Sequence, residues 1–139
     1  MNKIVLISCV SKKLPYRAKA RDLYTSPLFR MNLKYAEQFL PQKIFILSAK
    51  HGLVHLDEEI DPYDVTLNEM SASERKGWAA RVVSQLRENA DLENDHFVIL
   101  AGQKYRQYLL PYLRSYEVPL EGLKIGQQLQ FLKEKAARE

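Results

Sequence analysis

The chain has 139 residues, a formal net charge of +4, 46% hydrophobic and 27% charged residues. That is the balance of one ordinary globular domain, too weakly basic for a chromatin protein. Its single cysteine excludes an intrachain disulfide and a multi-cysteine metal site. No apolar run approaches the roughly 20 residues that span a bilayer, and no signal-peptide pattern opens the chain. The expectation is a cytoplasmic protein with no membrane partner.

Lys3-Ile4-Val5-Leu6-Ile7 is an apolar run without polar alternation, the pattern of a strand buried on both faces. It ends in Ser8-Cys9-Val10-Ser11-Lys12-Lys13. From Cys9 to Thr25 no period is visible, and a connection of that length inside a compact domain is usually functional. It holds Lys12, Lys13, Arg17, Lys19 and Arg21 against Asp22 alone, which reads either as a solvated loop or as a lure for an anion such as phosphate. Ser26-Pro27 supplies an N-cap and a first helical residue. Leu28, Met31, Tyr35, Ala36 and Phe39 repeat at helical spacing up to Pro41 and are expected to form the helix's buried stripe. The helix start at Ser26 is also a place where an anion binds, although capping alone accounts for it.

Ile44-Phe45-Ile46-Leu47 is a second buried strand, and it gives way abruptly to Ser48-Ala49-Lys50-His51-Gly52. Residues 53–70 show no helical period and read as a second long loop. Its acidic stretch contains Asp57, Glu58, Glu59, Asp61 and Asp64 with no base. Ser71 and Glu74 form a capping box opening a helix whose core face is Trp78, Ala79, Val82, Val83 and Leu86. Phe97-Val98-Ile99-Leu100 is the third strand, ending in Ala101-Gly102-Gln103-Lys104-Tyr105. A helix is expected over 104–116, kinked or divided at Pro111, with Tyr105, Tyr108, Leu109, Tyr112, Leu113 and Tyr116 on one side. After a turn at Pro119–Gly122 a last helix starts near Ile125 with Leu129 and Leu132 inward. Residues 117–120 are the candidate for a short edge strand.

Strands that each precede a helix imply right-handed crossovers and a parallel sheet. The expected fold is therefore a single α/β domain, a three-layer α/β/α sandwich with a small, mainly parallel sheet of three to four strands. Parallel strands gather their carboxyl ends on one edge, where open α/β sheets bind ligands. That places Ser8, Cys9, Ser11, Lys12 and Lys13 beside Ser48, Lys50, His51 and Gly52, and beside Gly102, Gln103 and Tyr105. The loops over the edge add Tyr16, Arg17, Asp61, Tyr63 and Asp64.

Cys9 is the strong nucleophile of the set if nearby cations lower its pKa; the alternative is a small core residue. His51 is the general acid–base candidate, against a role in capping the loop. Lys50 is the natural anion contact or a desolvated amine. Asp61 and Asp64 are candidate partners for His51 or for the basic loop. His51, His55 and these carboxylates match no standard ligand spacing, so no metal site is expected. No Walker loop, Gly-x-Gly-x-x-Gly or Gly-x-Ser-x-Gly is present, which argues against a nucleoside triphosphatase, a dinucleotide-dependent oxidoreductase and an α/β-hydrolase, and no cofactor is called for.

Several stretches taken together resemble a family of small uncharacterised bacterial and phage domains: Leu6-Ile7-Ser8-Cys9 with Lys12-Lys13, Leu23-Tyr24-Thr25-Ser26-Pro27-Leu28-Phe29, Leu47-Ser48-Ala49-Lys50-His51-Gly52-Leu53 and Pro62-Tyr63-Asp64-Val65-Thr66-Leu67. More distantly, Ser8-Cys9 with Lys13-Leu14-Pro15-Tyr16 and Ser26 is similar to the Pro-Cys…Lys-Pro-Tyr…Ser…His motif of the archaeosine synthase core, which modifies a deazaguanine base in transfer RNA. Ser8 replaces that motif's proline, Leu14 interrupts its Lys-Pro pair, and the closing histidine is missing. Asp61-Pro62-Tyr63 is similar to the Asp-Pro-Tyr of uracil-DNA glycosylases. These resemblances imply nucleobase chemistry. The leading expectation is an enzyme acting on a nucleotide, nucleobase or nucleic-acid base, with Lys12, Lys13 and Arg17 neutralising phosphate. Cys9 or a water polarised by His51 would attack, and Lys50 would stabilise developing charge. The alternatives are a non-catalytic nucleotide- or nucleic-acid-binding module and a protein-interaction domain.

Overall fold

The computed structural model describes residues 2–8 and 12–136; Cys9 and Ser11 lie outside the described residues. Three strands form the centre of the sheet: β1 (Lys3–Ser8), β3 (Lys43–Ser48) and β6 (His96–Leu100), with β2 (Ala18–Lys19) lying between the first two in sequence. They are parallel: Val5 sits opposite Ile44 on one side and opposite Val98 on the other. Their middle residues are buried almost completely, which explains the unbroken apolar runs: a strand covered on both faces has no solvent side for polar alternation.

The sheet is wider than expected. Its order is β4-β3-β1-β6-β7, where β4 (Gly52–His55) and β7 (Ser115–Glu117) are the edges. β4 runs antiparallel to β3 through a hairpin at Lys50-His51, so the start of the stretch expected to be loop is strand. The parallel edge strand covers Ser115–Glu117 and not residues 117–120, because Pro119 has no N–H for a ladder.

The helices lie on two faces. α2 (Pro27–Gln38), which follows the one-turn α1 (Ala20–Leu23), packs against α5 (Ile125–Ala136), with Tyr35 edge-on to Phe131 at 5.6 Å. α3 (Ala72–Asn89) packs on β4 and meets α4 (Gln103–Arg106). The α2 crossover leads from β1 outward to β3, and the α3 crossover leads back past β1 to β6. Two crossovers of the same hand running in opposite directions place their helices on opposite sheet faces, which yields the three layers. Ser26 Oγ accepts from the Phe29 N–H at 3.1 Å, and Ser71 and Glu74 form the full capping box. All five expected core residues of α3 are buried.

Two helix expectations are corrected. The α2 face against the sheet is Phe29, Asn32 and Ala36; Leu28, Met31, Tyr35 and Phe39 are half-buried, partly beneath α5. The expected helix over 104–116 shrinks to α4 and a 3-10 turn at Leu110–Tyr112. The break falls at 107–109, ahead of Pro111, which sits within the 3-10 turn, and Tyr112 and Tyr116 are exposed. No described helix is long and apolar enough to cross a membrane.

The basic and acidic loops fasten to each other. β2 pairs antiparallel with β5 (Glu59–Ile60) in a two-stranded sheet of its own. Arg17 lies 3.2 Å from Asp61 and donates to the Glu59 carbonyl, and Arg21 lies 2.9 Å from Asp57. These pairs are solvated and individually weak. They engage charge that the sequence offered to an anion at Arg17, and they give Asp61 one of its two expected partners, the basic loop, instead of His51.

Candidate functional site

Polar groups collect at the carboxyl edge in two neighbouring places. The first surrounds the β3–β4 hairpin. Ser48 is fully buried at the end of β3; its hydroxyl donates to Tyr63 Oη at 2.8 Å and accepts the His51 backbone N–H at 3.0 Å. Tyr63 Oη lies 2.6 Å from Tyr24 Oη, so three hydroxyls form a continuous chain. The imidazole of His51 meets the Tyr63 ring edge-on at 5.5 Å. Lys13, held by a bridge to Tyr24, places its ammonium 4.5 Å from the Tyr63 ring centre.

Helix α3 clamps this hairpin. Trp78 Nε1 donates to the Ser48 carbonyl at 2.9 Å, Arg81 donates to the Lys50 carbonyl, and Gln85 donates to the His51 carbonyl while accepting the Leu53 N–H. Gly52 adopts φ +75°, a conformation that L side chains rarely take, and a Cβ added there would meet the Gln85 carboxamide. The sequence Lys-His-Gly thus ends a buried strand and turns the chain beneath a fixed helix.

His51 Nε2 is buried without a hydrogen-bond partner among the described residues. Burial, and then the Lys50 ammonium, hold the His51 pKa below its ordinary value of 6.5. The imidazole is therefore neutral at pH 7, able to accept a proton. Because the unfolded chain protonates His51 at higher pH than the folded chain, stability is full above about pH 6.5 and declines as pH falls from there towards the lower folded pKa. Melting curves from pH 7.5 to 5 are expected to show this decline, and His51→Gln to remove part of it; an unchanged slope would contradict the assignment.

The second place is a cleft of about 610 Å³ over the ends of β1 and β6. This is where strand order reverses, since β1 is followed in space by β3 on one side and by β6 on the other. Ser8, Leu100, Ala101 and Gly102 form its floor at the strand ends, α4 supplies Gln103, Lys104, Tyr105 and Arg106, and α2 and α5 supply Leu28, Asn32 and Gln128. Asn68 and Arg75 close the side towards α3. Among the described residues the lining contains three cations and no carboxylate. Arg75 donates to Gln107 Oε1 at 3.1 Å, while its Nε is buried without a partner among the described residues. Asn32 is only 5% exposed, and its Oδ1 likewise has no partner among the described residues.

The expected residues therefore divide. Ser8, Gly102, Gln103 and Tyr105 line the cleft; Lys13, Ser48, His51, Gly52 and Tyr63 build the hairpin cluster. Lys50 faces a shallow groove with Met70, Trp78 and Arg81 instead of the cleft. Tyr16 is 61% exposed, Lys12 and Asp64 are exposed, and Ser26 serves as the α2 cap. His51 and His55 sit at opposite ends of the β4 hairpin arm, with His55 packed against Phe45, so they share no site. Asn32, Arg75 and Gln128 carry no mark in the sequence. The one signal for Asn32 is its spacing, three residues after Phe29 and four before Ala36, which puts an amide on the sheet-facing stripe.

Residues 4–134 match the family of unknown function DUF6884. The chain belongs to the DUF6884 family. Nothing among curated proteins or solved structures matches it significantly. The DUF6884 match takes in the central sheet except Lys3 at the start of β1, and the residues named for both polar clusters.

Proposed function

We propose that this protein is an enzyme acting on a nucleotide or nucleobase bound in the cleft between the ends of β1 and β6. The observation that carries the reading is the cleft's lining: Arg75, Lys104 and Arg106 with no opposing carboxylate among the described residues, interleaved with the amides of Asn32, Asn68, Gln103, Gln107 and Gln128. Cations in an acid-free recess favour a phosphate, and side-chain amides match the donor–acceptor edges of a base. The volume lies within the range of small-ligand sites. The likeness of Ser8–Tyr16 to the archaeosine synthase core points the same way. In this reading the nucleophile is Cys9, next in the chain after the cleft residue Ser8, or a water. His51, in the neighbouring hairpin cluster, takes up the proton the nucleophile loses, and the group displaced from the ligand departs as the new bond forms.

A second reading, a binding module without chemistry, is favoured by the absence of His51 and Lys50 from the cleft lining. Thermal-shift screening against nucleosides, nucleotides and deazapurines, followed by mass spectrometry of whatever binds, separates the two. The enzyme reading predicts a rise in Tm, conversion of the bound compound, loss of conversion in His51→Ala, and alkylation of Cys9 by iodoacetamide at pH 6.5 faster than a free thiol. Binding with no conversion would establish the module. No shift with any compound would overturn both.

A further inference from the structure

We propose that Asn32 is the residue that reads the base, accepting from and donating to the hydrogen-bonding edge of a flat heterocycle held in the β1–β6 cleft. The proposal rests on the reading of that cleft as a nucleotide site and names how it selects its ligand. Asn32 stands on the sheet-facing stripe of α2 between Phe29 and Ala36, both of them fully buried. An apolar residue would pack there at no cost. Instead the position holds a carboxamide that lines the cleft, is only 5% exposed, and has its Oδ1 buried without a hydrogen-bond partner among the described residues. Buried polar groups are almost always paired, and those left unpaired in a folded protein call for a partner the chain does not itself supply.

The surroundings say what kind of partner. Leu28, Leu100 and Leu120 give the cleft apolar walls, while Arg75 and Lys104 place positive charge on the side away from α2. A carboxamide presents an acceptor and donors side by side, so its complement is a ring edge with an N–H next to a carbonyl or ring nitrogen. A flat heterocycle with that edge, apolar faces and an attached phosphate satisfies all three parts. Ribose phosphate or inorganic phosphate satisfies only the cationic side.

Asn32→Leu separates this role from a structural one. Removing an unpaired buried amide in favour of a side chain of similar size is expected to raise the Tm of the ligand-free protein by about 4 to 8 °C. Isothermal titration with the four common nucleoside 5′-monophosphates and with ribose 5-phosphate is then compared in both proteins. The wild type is expected to prefer at least one nucleotide over ribose 5-phosphate, and Asn32→Leu to shrink that preference about tenfold or more while leaving the affinity for ribose 5-phosphate unchanged. Asn32→Ala, which cannot overfill the site, is expected to lose the same preference. A nucleotide preference that survives both substitutions, or a fall in Tm for Asn32→Leu, would overturn the proposal while the nucleotide reading stands. Binding of no nucleotide by the wild type would overturn both.

Discussion

Gly52→Ala is expected to destabilise the fold by about 2–4 kcal/mol, lowering Tm by about 8 to 16 °C. Two costs add. A Cβ at φ +75° opposes the handedness of L-residues, and that Cβ would run into Gln85 Oε1. Gln85 cannot yield freely, because the same oxygen accepts the Leu53 N–H at 2.8 Å and the same amide donates to the His51 carbonyl. The damage should fall on the hairpin, so hydrogen exchange at Leu53 and Val54 is expected to speed up before exchange in β1 does. Gly77→Ala, on the exposed side of α3 where an added Cβ meets nothing, is the control and should be neutral or stabilising. Equal Tm values for Gly52→Ala and Gly77→Ala would refute the clamp.

The second large effect concerns binding. Arg75→Gln is expected to weaken a nucleoside monophosphate by about 10- to 100-fold, the worth of one charge-assisted hydrogen bond in a sheltered site. The matching nucleoside, which lacks the phosphate, should change little. Arg75 of α3 donates to Gln107 Oε1, and its Nε has no partner among the described residues. Part of its guanidinium is thus committed to position and part is not. Lys104 is exposed and holds the Asn68 carbonyl only at 3.4 Å, so Lys104→Gln should cost less. Equal losses for nucleotide and nucleoside would place Arg75 in fold support instead of phosphate binding.

The layers of the fold were legible because burial on both faces leaves a simple trace: Ile4–Ile7, Phe45–Leu47 and Phe97–Leu100 are apolar without alternation, and caps at Ser26 and Ser71 mark the helices between them. The edge strands were harder to see. Gly52–His55 is four residues long and begins at a glycine, and Ser115–Glu117 carries no apolar run; edge strands need only one covered face and few residues. The direction of the strands placed Ser8, His51 and Gln103 at one end of the sheet, and that is where they lie. The sequence left Asp61 two partners, His51 or the basic loop, and composition alone could not choose; the structure pairs it with Arg17, 44 positions away. Nor could periodicity single out Asn32: an amide on a helix reads as surface until the partner of that face is known.

The cleft can be interrogated residue by residue. Backbone amide spectra of the labelled protein, recorded while titrating the nucleoside monophosphate that binds best, are predicted to move signals of Ser8, Ala101, Gly102 and Gln103 first, with Asn32 and Arg75 side-chain resonances following. Shifts confined to Lys50, His51 and Gly52, or none at saturating ligand, would contradict a site between β1 and β6.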